Sequence, residues 1–467
     1  MTDTAIETGT WRELLGQHLG MCTVLAGGVL LYSTNEFLTV SMLPTIIADI
    51  GGRRLFAWAT TLYLVGSVVA AAVVHPILQR IGARRSYLIG LTVFALASVV
   101  NVVAPSMAVL VAGRALRGVA GGLLAGLGYA LINTALPRSL WTRGSALVSA
   151  MWGVSTLIGP VAGGIFAQLG LWRWAYVAIG VAAGLMAIVV LMVMKPSPVD
   201  SAGQNPVPPT RNVPIWSLLL MGSAALAVSV ASLPRYLMQN MGLLLAGALL
   251  VVAFVVVDGR TQVAVLPRSV FGPGQSKWVY LSMSIAMVAA MANIYVPLFG
   301  QRLAHLSPAE AGFLAAALAV GWTGSEIVSA SLTDRRVIRC IVVTAPLVMA
   351  TGLALGAVTQ RAHAPLGFVA LWALALLITG AGIGIAWPHL AVRAMDSGND
   401  PEQSSAAAAA INTVQLVSAA LGAGLAGVVV NVVGGGHVGA ARWLYAVFAV
   451  VAATGVLASY RAVRDQR

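Results

Sequence analysis

The sequence predicts an all-α integral membrane protein of fourteen transmembrane helices, and three observations carry that expectation. Of the 467 residues, 59% are apolar and only 9% charged, where a soluble domain carries about 25% charged residues. The mean hydropathy is +0.90, with apolar character running from near the start of the chain to its end. Charged residues punctuate apolar runs of spanning length. Arg54 to Arg80 encloses 25 uncharged residues, Arg173 to Lys195 encloses 21 and Lys277 to Arg302 encloses 24; about 20 cross a bilayer core as a helix. Backbone groups in lipid must pair internally, and period-two alternation is missing, so the spans are expected to be helices and not barrel strands.

The elements follow in order. The opening MTDTAIETGTWRELLG is polar and acidic and lacks the basic segment of a cleaved signal peptide. Residues 1–19 are therefore expected to form a cytoplasmic tail before a retained first helix. Helices are expected at 20–46, 55–77, 86–104, 107–136, 145–168, 173–194, 214–234, 237–257, 277–300, 309–332, 339–359, 365–390, 403–432 and 442–460. The third and fourth share one apolar run broken at Ala104-Pro105-Ser106. Lys195 to Pro214, rich in Pro, Ser and Gly, reads as a linker, and Asp258 to Ser276 is the second long loop. The division is then a tail (1–19), a six-helix bundle (20–194), linkers with two additional helices (195–276), a second six-helix bundle (277–460) and a tail (461–467).

Basic residues set the expected orientation. With both termini inside, 18 Lys and Arg fall in inside segments and 7 in outside ones; Arg114 and Arg117 lie within the fourth helix. The net charge of +13 is spread between apolar segments and not gathered on one soluble face, which argues against nucleic-acid binding. Lysine is nearly absent, Lys195 and Lys277 against 25 arginines. That bias suits GC-rich coding, and a bacterial plasma (inner) membrane is the expected location. Cys22 and Cys340 lie far apart and read as apolar fillers. A soluble enzyme, a secreted disulfide scaffold and a disordered chain are excluded by composition. No phosphate-binding Gly-x-x-x-x-Gly-Lys loop, metal-ligand spacing or Ser/His/Asp set is present, so neither ATP, a metal nor enzymatic chemistry is expected.

The two halves look related. HPILQRIGARR (His75 to Arg85) follows the second helix and ASLTDRRVIR (Ala330 to Arg339) the tenth, with Gln79-Arg80 matching Asp334-Arg335. Gln79, Arg80, Gly82, Arg84, Arg85, Asp334 and Arg335 are therefore candidate residues of a cytoplasmic gate. LTVSMLPTIIADIGG (Leu38 to Gly52) closes the first helix, GRALRGVAGG (Gly113 to Gly122) lies in the fourth, and STLIGPVAGG (Ser155 to Gly164) in the fifth. LWRWAYVAIG follows, and PEQSSAAAAAINTVQLVSAALGAG opens the thirteenth helix. Together these resemble the major facilitator superfamily, which is built of parallel six-helix repeats, and in particular its fourteen-helix drug:proton antiporter branch. The loop after the second helix is similar to the superfamily's Gly-x-Leu-x-Asp-Arg-x-Gly-Arg-Arg, with His75 in the Gly place and Gln79 in the Asp place. The resemblance implies that the latch normally made by that Asp is altered here or falls to Asp334. Arg117 stands where the Arg-x-x-Gln-Gly pattern has Gln, and Ser155 where the antiporter motif has its first Gly. In that motif Gly159, Pro160, Gly163 and Gly164 combine close backbone approach with a loosened hydrogen-bond ladder, which suits a hinge.

Charge inside the bilayer is costly and needs a partner or a task. Four such residues stand out: Glu36, Arg114, Arg117 and Glu326. Glu36 lies ~15 Å from the outer end of the expected first helix, Arg114 ~10 Å from the outer end of the fourth and Glu326 ~9 Å from the inner end of the tenth. The resemblance implies that both helices line the central cavity. An ion pair between Glu36 and one of the arginines is therefore expected to couple protons to transport, with Glu326 as a gate, a structural partner or a second coupling acid. Asp49 is expected to be solvated. Asn35, Asn133, Asn293, Tyr295, Asn412 and Gln415 are the candidate polar groups of the substrate cavity, while Trp152, Trp322, Trp387, Met151 and Met291 offer an adaptable apolar lining. The resulting expectation is a monomeric exporter of hydrophobic or amphipathic small molecules that needs no cofactor and draws on a proton gradient. A uniporter or importer of a polar metabolite and a membrane-embedded lipid-handling protein remain as alternatives.

Overall fold

Thr10 starts the first helix with a capping box: its hydroxyl accepts from the Glu13 backbone N–H while the Glu13 carboxylate accepts from the Thr10 N–H. The computed structural model describes residues 9–52, 55–196, 214–231, 237–261, 264–396, 401–432 and 436–464. Most of the expected linker (197–213), the end of the seventh expected helix (232–234) and the extreme tails lie outside the described residues.

The helices before the linker are α1 (Trp11–Gln17), α2 (Leu19–Ile50), α3 (Phe56–Ala72), α4 (Val74–Val102), α5 (Met107–Ala130), α6 (Ile132–Ala135), α7 (Trp141–Gln168) and α8 (Trp172–Val193). Two follow it, α9 (Ile215–Ala231) and α10 (Leu237–Arg260). The remainder are α11 (Ser276–Ala290), α12 (Val296–Ala304), α13 (Pro308–Ser329), α14 (Arg335–Thr359), α15 (Leu366–Gly384), α16 (Trp387–Met395), α17 (Pro401–Val432) and α18 (Gly436–Val463). Among the described residues, eleven helices have the length and apolar character to cross a membrane, or twelve if the bent pair α1 and α2 forms one span. Trp58–Ala72 and Ile215–Val228 are shorter apolar helices.

The breaks have local causes. Gly82 adopts φ 77° and ψ 169° inside α4, a backbone conformation that only glycine adopts cheaply, and it turns the chain between two expected helices. A 3₁₀ stretch, Met291–Tyr295, interrupts the run between α11 and α12. Pro388 stands in the first turn of α16, where a missing N–H costs no helical bond.

Packing repeats across the chain. In the first group α2 packs on α7, α3 on α5, and α4 on α5 and α8. In the second, α11 packs on α17, α13 on α15, and α14 on α15 and α18. Each pair matches its counterpart in order, so the relation read from the two basic loops extends to the helix contacts. Helices α9 and α10 pack on each other, and α9 leans on α3 and α17. The two groups meet where α13 and α16 touch α7, and where α17 touches α5 and α3.

Two expected depths change because the helices end elsewhere than expected. α2 continues to Ile50, which puts Glu36 ~21 Å from that end. α13 stops at Ser329, which leaves Glu326 only ~4.5 Å from its end.

Candidate functional site

Close approach of α2 and α7 builds one wall of the site. A Cβ at Gly159 would meet Phe37 Cβ at 2.6 Å and the Leu38 N at 3.1 Å, and one at Gly163 would meet the Leu38 O at 2.5 Å. Both positions therefore need glycine for this helix spacing. Gly164 faces open space, and Pro160 is half-buried within α7. Ser155, one turn before Gly159, shares a hydroxyl cluster with Ser33 (2.6 Å) and Thr34 (2.9 Å) of α2.

On α2, one turn beyond Tyr32, stand Asn35 and Glu36. Asn35 is fully buried and Glu36 half-buried. Glu36 Oε2 and both polar side-chain atoms of Asn35 make no hydrogen bond. Tyr32 stacks on Tyr63 of α3 at 5.4 Å and meets Trp152 of α7 edge-on at 5.5 Å. The Tyr63 hydroxyl donates to the Tyr32 carbonyl (2.7 Å) and the Tyr32 hydroxyl to Ser67 (3.1 Å).

Arg114 and Arg117 are fully buried. Arg114 Nε donates to the Ala59 carbonyl at 2.8 Å, and its guanidinium lies 4.5 Å from the Tyr63 ring centroid. Arg117 lies 4.8 Å from the Phe94 centroid and 5.0 Å from that of Tyr176. Arg114 Nη1 and Nη2 and all three Arg117 nitrogens lack hydrogen-bond partners. Among the described residues, no ion pair or hydrogen bond joins Glu36 to either arginine. Arg114 is within Coulombic range of Glu36, and aromatic faces, not carboxylates, flank both guanidinium groups. Such a face attracts a desolvated cation by ~2 kcal/mol, which offsets only part of the cost of burying it.

Glu326 is separate from this cluster. It is fully buried, and neither oxygen has a hydrogen-bond partner. Among the described residues the expected ion pair between Glu36 and an arginine is thus absent, and Glu326 joins neither arginine. Around Glu326, Trp322 packs on Trp387 at 5.7 Å, and Trp387 Nε1 donates to the Tyr129 hydroxyl at 3.3 Å. Asn412 and Gln415 are buried and unpartnered on α17, with Asn412 facing Gly126 of α5. Asn133, on α6, is half-buried, as are Asn293 and Tyr295 in the 3₁₀ break.

At the end carrying the basic loops, Arg138 pairs with Asp396 at 3.0 Å, and Trp11 Nε1 donates to Ser331 at 2.9 Å. Both contacts tie the first helix group to the second. Arg84 donates to the Leu191 carbonyl at 3.5 Å. Gln79, Arg80 and Arg85 flank Gly82 in the same turn. Asp334 caps α14, accepting from the Arg336 and Val337 backbone N–H groups, with Arg335 exposed beside it. Its carboxylate thus serves its own helix. At the opposite end Asp49 pairs with Arg173 at 2.6 Å and accepts from Trp172 Nε1 at 3.1 Å, so it is exposed but clasped rather than merely solvated.

Sequence reasoning missed Tyr63, Phe94 and Tyr176, which lie on three helices other than that of the arginines. It also missed Asp258, fully buried and accepting from Ser217 and from the Val265 and Leu266 N–H groups. A lone acid at a helix end gave no hint of that loop-ordering role.

The profile of the Major Facilitator Superfamily matches residues 25–423. The chain belongs to this superfamily. A Mycobacterium tuberculosis protein named probable multidrug-efflux transporter is 68% identical over all of this chain and 99% of its own. The multidrug transporter protein MdtP of Bacillus subtilis is 25% identical over 76% of this chain and 65% of its own. Among solved structures, the human organic anion transporter MFSD10 superposes with a TM-score of 0.70, at 13% identity, over 94% of this chain and 99% of its own. That likeness speaks for the fold.

Proposed function

We propose that this chain is a proton-coupled secondary transporter that exports hydrophobic or amphipathic small molecules by alternating access. In this reading it lies in a bacterial plasma membrane as a monomer with both termini cytoplasmic. Fourteen spans fit: the bent pair counted as one, the eleven runs of full length, and the two shorter apolar helices, α3 and α9. The division at 20–194, 195–276 and 277–460 follows the two packing groups, with α9 and α10 between them.

The observation that carries the reading is the setting of Glu36. It is a half-buried acid near the middle of α2, in Coulombic range of a buried arginine, beside the glycine-mediated α2–α7 contact. Gain or loss of a proton by a carboxyl there changes the field acting on Arg114. The name of the 68% identical relative supports export. Contacts gathered at the basic end, Arg138 with Asp396 and Trp11 with Ser331, support a state closed toward the cytoplasm. The aromatic groups Trp152 and Tyr32, with Met151, suit an apolar substrate.

The test is purified protein in liposomes with an imposed pH gradient and a panel of fluorescent hydrophobic dyes of both charge signs. Wild type is expected to move dye uphill with counterflow of protons. Glu36→Gln is expected to lose uphill transport while still exchanging dye downhill. Dye flux without proton movement would favour a uniporter instead, and uphill transport by Glu36→Gln with unchanged pH dependence would remove the assigned role.

A further inference from the structure

The seam between the two helix groups holds an acid with no counter-charge. Helices α7 and α13 approach closely there: a Cβ at Gly153 would meet the Ala319 carbonyl at 3.2 Å and Thr323 Cβ at 3.2 Å. One turn further toward the basic end, Ser149 of α7 and Glu326 of α13 occupy the corresponding places. Glu326 is fully buried, one turn from the end of its helix. Ser149 Oγ and Trp322 Nε1 face its carboxyl without completing a hydrogen bond. Tyr129, held by Trp387, closes the seam from α5.

We propose that Glu326 is a proton-operated lock of the cytoplasmic gate, closed when the carboxyl is neutral and released when it ionises. The inference rests on the transporter reading above and adds a residue, a site and a direction to it. A carboxylate in a dry seam with no cation is far costlier than a neutral carboxyl. Parting α7 from α13 is the simplest way to hydrate the charge, because Ser149 and Tyr129 belong to one group and Glu326 to the other. The charged and titratable groups of the packed elements do not neutralise it. Tyr129 faces it from α5. His389 of α16 is engaged with Ser329 (3.0 Å), and Arg393 donates to the Ala462 carbonyl. Arg143 lies at the start of α7 in Coulombic range of Glu13. Helix α12 carries Arg302, near the end opposite the basic loops, and α15 carries no charged residue. Protons balance simply: the carboxyl takes one up when the seam closes and releases it to cytoplasmic water when the seam opens.

The experiment uses full-length protein in lipid nanodiscs, without substrate or gradient, with Cys340→Ser and spin labels at Arg85→Cys and Arg336→Cys. These positions are exposed, at the basic end, one in each group. The label distance should lengthen as pH rises from about 5 to about 9, a range that spans the documented behaviour of buried carboxyl groups. Glu326→Gln should hold the short distance throughout. Glu326→Asp should restore a pH response, which shows that loss in the Gln variant is not misfolding. A wild-type distance that ignores pH, or a Glu326→Gln protein with the wild-type response, overturns the lock. Because the readout needs no transport, absent export with an intact distance response would fail the transporter reading alone.

Discussion

At the scale of single residues, the two arginines of α5 pose the sharpest energetic question. Each is fully buried among aromatic rings with most of its donors unpaired. Replacing a buried ion by an apolar side chain of similar size is often neutral or stabilising, so structure alone gives little reason to keep a cation here. Arg114→Met is therefore expected to leave the thermal midpoint of the detergent-solubilised protein within a few degrees of wild type, while uphill dye transport in liposomes falls at least ~10-fold. That loss corresponds to ~1.4 kcal/mol of coupling. Unimpaired transport would reduce Arg114 to packing. The Asp49–Arg173 clasp differs: both side chains are more than two-fifths exposed, and solvent screening leaves a pair of that kind little net effect on stability.

At the scale of elements, glycine spacing decides what α7 can do. Gly159 and Gly163 bring α7 against the backbone of α2, whereas Gly164 faces open space. The motif is thus unequal in its parts. Gly159→Leu is expected to abolish transport while the protein still reaches the membrane, because the side chain would push apart two helices that carry Glu36 and Trp152. Gly164→Ala is expected to transport like wild type. A transport assay with membrane-level quantification separates the two, and wild-type activity in Gly159→Leu would leave simple packing as the meaning of the motif. Helix α1 is a second element of interest, since it lies at 95° to α2 and reaches Ser331 through Trp11.

At the scale of the whole molecule, topology is the testable property. A reporter fused after Arg467 is expected to read cytoplasmic, and one inserted near His363 to read external, as fourteen spans and the basic bias require. An external signal at the C-terminus would fail the count or the orientation. The contacts Arg138–Asp396, Trp11–Ser331 and Trp387–Tyr129 gather at one end, so a transport cycle must break them together or in sequence.

What the sequence determined by itself was the helical fold, the run of helices, the repeat and the glycine-rich α7. These properties are local or periodic. Apolar length, charge at borders and small residues at helical spacing are legible in one dimension, and the expected spans agree with the helices to within a few residues at most ends. Tertiary structure decided the partners. Which ring flanks Arg117, whether Glu36 reaches an arginine, and that Asp334 caps its own helix all depend on how helices rotate about their axes. Helix ends mattered as well: α13 stops at Ser329 and not at 332, which leaves Glu326 one turn from the end of its helix. Hydropathy carries no information about rotation, because lipid-facing and helix-facing residues here are equally apolar. The surroundings of the two acids were therefore not legible in the sequence. Packing set one in a half-buried site within Coulombic range of an arginine and the other in a closed seam without a counter-charge.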